Sequence, residues 1–64
     1  MAKEFLHIAV FDHDKSEVSV YKTNLDKDAY FDEIEDYIIT MGHDMKSIKY
    51  MVSYGPIKVN NYFN

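Results

Sequence analysis

Only one segment of this 64-residue chain has helical periodicity. Phe31, Ile34, Ile38 and Met41 recur at three- and four-residue spacing and form a single apolar stripe, flanked by Tyr30 and Tyr37. The spacing predicts one helix over about 29–41. Asp26 or Asp28 is placed to cap its start, and Gly42 stands where a left-handed C-terminal cap belongs. Everything else that is apolar alternates. A chain with one helix and several strands can cover one face of a sheet and must leave the other to something else.

Four alternating segments surround the helix. Residues 4–12 read as a strand with Leu6, Ile8 and Val10 on one parity and Phe5, His7, Ala9 and Phe11 on the other. Both parities are largely apolar, as in a central strand. A polar turn rich in Asp and Ser leads into residues 17–23, where Val18 and Val20 alternate with Ser19 and Tyr21, so the pair reads as a hairpin. After the helix, residues 47–54 alternate again. Gly55-Pro56 breaks the run, and residues 57–62 form an expected fourth strand.

The order ββαββ is an α+β pattern with one helix on a four-stranded antiparallel sheet. Chain directions place the third strand beside the first, giving strand order 2-1-3-4. The helix face is then expected to carry Leu6, Ile8, Val10, Val18, Val20, Ile48, Tyr50, Val52, Ile57 and Val59. The open face is expected to carry Phe5, His7, Ala9, Phe11, Ser19, Tyr21, Thr23, Lys49, Met51, Lys58, Asn60 and Tyr62. A one-residue slip in register exchanges a strand's two sets.

A chain of this length buries about 60% of its unfolded surface, so its core is thin and support from oligomerisation is expected. There is no Cys, which removes disulfides and Cys-based zinc sites. The net charge is −4 and every cation is Lys. Without Arg, the preferred bidentate reader of phosphate and guanine, sequence-specific nucleic-acid binding is disfavoured. The apolar run from Phe5 to Phe11 is too short to cross a bilayer or to serve as a signal segment. A soluble cytoplasmic protein is the expectation.

The open face is the strongest functional signal. Contiguous large apolar side chains are seldom left bare on a monomer, and symmetric dimers are the commonest soluble oligomers. The expected interface is Phe5, His7, Phe11, Tyr21, Lys49, Met51, Lys58 and Tyr62. The expected partner is a second copy or another protein. A stacking platform for single-stranded nucleic acid is the weaker use of the same face, because the chain is acidic and has no matching Gly/aromatic pattern.

Residues 26–36 hold six acids and one Lys, a net −5. Asp28, Asp32, Glu35 and Asp36 share a solvent side, which suits an acidic regulator or nucleic-acid mimic docking on a basic protein. An ordinary solvated helix face that complements the helix dipole is the simpler account. His7, His13 and His43 show no helical ligand spacing, so no metal is expected, and His13 and His43 are expected in solvated loops. The repeated His-Asp dipeptide shares letters with a metal phosphohydrolase motif, which needs further helical ligands that a single helix does not supply. No Gly-x-Ser-x-Gly elbow and no phosphate-cradling Gly loop is present, so no cofactor is expected and the chain is expected to bind and not to catalyse.

Overall fold

The computed structural model describes residues 4–62. It is a small α+β fold with elements β1 (Phe5–Asp12), β2 (Glu17–Asp26), α1 (Phe31–Thr40), a short 3-10 turn (Met45–Ser47) and β3 (Ile48–Ser53). The strands form an antiparallel sheet in the order β2-β1-β3, which is the expected order for its first three members. The expected fourth strand is absent among the described residues. Residues 56–62 join no ladder, and Ile57 to Asn61 instead lie along the sheet face away from the helix, where they border a groove with Ala9, Phe11, Val18, Val20 and Met51. Pro56 offers no N–H to a ladder and fixes its own φ, so the chain leaves β3 without turning back into a hairpin.

The core is thin. Leu6, Ile8 and Val10 from β1 meet Ile34 and Ile38 from α1, with Tyr21, Leu25, Tyr37, Ile48, Tyr50 and Val52 packed around them. Only the middle of the expected stripe is buried. Phe31 is 74% exposed and Met41 is also exposed, and Tyr37 supplies part of the apolar side in their place.

Both helix ends are satisfied locally. The N-cap is Tyr30 and not Asp26 or Asp28. Asp26 closes the preceding turn instead, accepting from the Asp28 N–H through its side chain and from the Ala29 N–H through its carbonyl. The Glu33 carboxylate reaches back to the Tyr30 N–H at 3.3 Å, one half of a capping box. At the other end Gly42 has φ +96°, the left-handed cap expected of it. Its N–H bonds to the Ile39 carbonyl at 2.9 Å and the His43 N–H bonds to the Ile38 carbonyl at 3.4 Å, which is the bond pattern of a Schellman motif. That motif ends the helix and turns His43 back toward the sheet.

The register of the first hairpin corrects the expected faces. Residues 13–16 form the turn, with Ser16 at φ 52° and the Lys15 N–H bonded to Asp12 Oδ1 at 3.1 Å. Asp12 then pairs with Glu17, Val10 with Ser19, Ile8 with Tyr21, and Ala9 with Val20. Directly paired residues share a face. Ser19 and Tyr21 therefore lie on the helix side, while Val18 and Val20 lie on the open side, the reverse of the expectation for β2. Thr23 also belongs to the helix side, where its hydroxyl donates to the Leu6 carbonyl at 2.6 Å beside a register shift in the ladder. β1 and β3 keep their expected parities, with Ile8 opposite Val52, Ala9 opposite Met51 and Phe11 opposite Lys49.

Candidate interaction surface

The open face is built from alternate positions of all three strands. Phe5, His7, Ala9 and Phe11 come from β1, Val18, Val20, Lys22 and, beyond the register shift, Asp26 from β2, and Lys49, Met51 and Ser53 from β3. Phe11, Val18, Val20 and Met51 are each between 39% and 58% exposed, although they are neighbours on one apolar surface. Ala9 lies in their midst at 3% exposure, shielded by its larger neighbours. Ile57 to Asn61 run along this surface and enclose an open groove of about 330 Å³.

The structure brings together five of the expected interface residues on the sheet: Phe5, His7, Phe11, Lys49 and Met51. Lys58 borders the groove from the C-terminal segment. Tyr62, 84% exposed, follows that segment and belongs to no strand. Tyr21 is on the other side of the sheet, packed against the core. Val18, Val20 and Lys22 take its place on the open face. The signal that would have found them is the hairpin loop length, which sets register, and not their hydrophobicity, which argued for burial.

Of the four expected acidic-face residues, Asp32 and Asp36 are exposed on α1, Glu35 is half-buried on α1, and Asp28 is exposed in the turn before it. Asp32 and Glu33 lie in the first turn, where negative charge complements the helix dipole.

On the helix side of the sheet lies a polar cluster around His43, a residue expected in a solvated loop. His43 is 5% exposed and Asp12 is equally well buried. His43 Nδ1 meets Asp12 Oδ2 at 2.7 Å, and His43 Nε2 meets the Tyr21 hydroxyl at 2.6 Å. An ionised carboxylate only accepts, so Nδ1 carries the proton; when the ring is neutral, Nε2 accepts from the Tyr21 O–H. The His43 hydrogen bond holds the Asp12 carboxyl below its ordinary value, against the opposing effect of burial and with help from the Lys15 N–H. The Tyr21 ring also stands edge-on to Tyr37, with centroids 6.0 Å apart. Lys15 Nζ donates to the Gly42 carbonyl at 2.9 Å, which ties the hairpin turn to the helix end. His43 is thus not a solvated loop residue. The Schellman motif delivers it, and a Gly cap followed by His was the one local sign of that. His13 is exposed in its turn, as expected.

Among the described residues no group of three His, Cys, Asp or Glu side chains is placed to hold a metal ion, and no helix is long and apolar enough to cross a membrane. Comparison of the chain with family models, with curated proteins and with solved structures finds no match.

Proposed function

We infer that this chain is a protein-interaction module, not an enzyme, and that it joins another protein chain through the sheet face opposite the helix. The observation that carries this is the cluster of Phe11, Val18, Val20 and Met51, half-exposed side by side on a strand surface that the C-terminal segment only partly borders. Contiguous apolar surface of that kind on so small a domain is characteristic of an interaction site. The register supports the reading further, because it adds two valines to the face and removes a tyrosine. The Asp12–His43–Tyr21 chain supports a structural role for the buried histidine, since both ring nitrogens are already engaged inside the fold.

A second copy is the simplest occupant to test first. Light scattering across a wide concentration range measures assembly, and Phe11→Asp places a charge in the centre of the face without touching Leu6, Ile8 or Val10. Where the parent self-assembles through this face, the folded variant is expected to assemble less. An assembly that persists unchanged in the folded variant removes the open face from consideration.

A further inference from the structure

We propose that the occupant of the open sheet face is an acidic amphipathic segment of a different protein. This rests on the reading of that face as the interaction surface and names its partner class. The argument is charge complementarity around an apolar centre. By register, Lys22 and Lys49 project from the same face as Phe11 and Met51, and Lys58 borders the groove from the C-terminal segment. All three lysines are exposed. None of the residues bordering the central groove is a carboxylate, and the carboxylate among the strand positions on this face is Asp26, paired with Phe5 at the far end of the sheet. Glu4 and Glu17 stand only at its two ends, beside Lys22 and beside Val18 respectively. Most other acids of the chain stand on α1 and the turn before it, so in a chain of net charge −4 the middle of this face is rimmed by Lys49 and Lys58, with carboxylates only at its ends.

That distribution selects among occupants. A two-fold pairing centred on the groove brings Lys49 and Lys58 of two copies to the same apolar centre with no carboxylate bordering it, and like charges across an interface oppose docking. A single nucleic-acid strand needs several aromatic platforms, and the groove supplies Phe11 alone among Ala9, Val18, Val20 and Met51. An apolar segment edged with Glu or Asp satisfies both the groove and the rim. Lysine stems can lie along the apolar surface while their ammonium groups reach the partner's carboxylates.

The test uses the full chain and fluorescence anisotropy with three labelled probes. The first is an amphipathic Leu/Glu peptide of about 15 residues, long enough as a helix to cross the sheet. The second is the same peptide with Gln for Glu, and the third is oligo-dT. The Glu peptide is expected to bind about tenfold tighter than the Gln peptide, as a few exposed ion pairs add up to that ratio. Lys49→Glu/Lys58→Glu is expected to erase this preference, and raised salt to reduce it. Phe11→Asp, with Met51→Asp as a second variant should the first unfold, is expected to lose both peptides. If the two peptides bind alike, or the lysine variant keeps the preference, the acidic-partner proposal is overturned while the open face stands. Tighter binding of oligo-dT, or a dimer that Phe11→Asp dissociates, overturns it in favour of those occupants. If both folded aspartate variants still bind the peptides fully, the proposal and the reading of the face fall together.

Discussion

Asp12 and His43, thirty-one residues apart, meet at 2.7 Å and tie the end of β1 to the end of α1. The contact is the keystone of a chain that continues through His43 to the Tyr21 hydroxyl on β2. Three elements that share only a thin apolar core are thereby also linked by buried polar bonds. Every buried side-chain nitrogen and oxygen among the described residues has a partner. Satisfied networks of this kind specify one arrangement, because any other leaves a buried group unpaired.

The Asp12 carboxyl gives this network a pH dependence of definite sign. Its value in the folded state lies below the unfolded one, chiefly through the His43 hydrogen bond. The stability it contributes is therefore present in full above the unfolded value and is lost as pH falls through the lowered folded value. Urea denaturation as a function of pH is expected to show stability falling below the ordinary carboxylate range. Asp12→Asn is expected to flatten that part of the profile. An unchanged acid limb in the variant removes Asp12 as its source.

Tyr21→Phe isolates the other half of the chain. The ring keeps its edge-on packing with Tyr37, but His43 Nε2 is left in a buried position without its hydroxyl. An unsatisfied buried polar group costs about 1–3 kcal/mol, so the denaturation midpoint is expected to fall by a corresponding amount. A midpoint equal to that of the parent means that water replaces the hydroxyl.

Gly42→Ala tests the helix cap that delivers His43. A Cβ there meets Lys15 Nζ at 3.8 Å, an ordinary contact, so space is not the obstacle. The obstacle is φ +96°, which an L side chain rarely adopts. The expected cost is about 1–2 kcal/mol, and each kcal/mol moves Tm by roughly 4–8 °C in a domain of this size. Thermal melting followed by circular dichroism reads it directly.

The hairpin register has its own signature. Val20→Lys is expected to leave stability within about 0.5 kcal/mol, because Val20 faces outward beside Ala9 and Phe11. Tyr21→Lys is expected to unfold much of the population, since it inserts a charge beside Ile8 and breaks the bond to His43. If the two substitutions exchanged their effects, β2 would be in the opposite register.

The sequence by itself determined the elements, because each has a local cause. Alternation marks β1, β2 and β3, the spacing of Ile34 and Ile38 marks the helix, and Gly42 marks its end. Strand order followed from chain direction. Tertiary structure alone decided which side of β2 faces the helix. Hydrophobicity favoured burying Val18 and Val20, but the turn at residues 13–16 pairs Asp12 with Glu17 and so sends Tyr21 inward. Inside, Tyr21 gains the Tyr37 ring and the His43 nitrogen, partners that no local pattern announces because they lie on another element. The same holds for the C-terminal segment. Its alternation is real, yet a strand exists only where a neighbour accepts its hydrogen bonds, and residues 57–61 run along the open face instead.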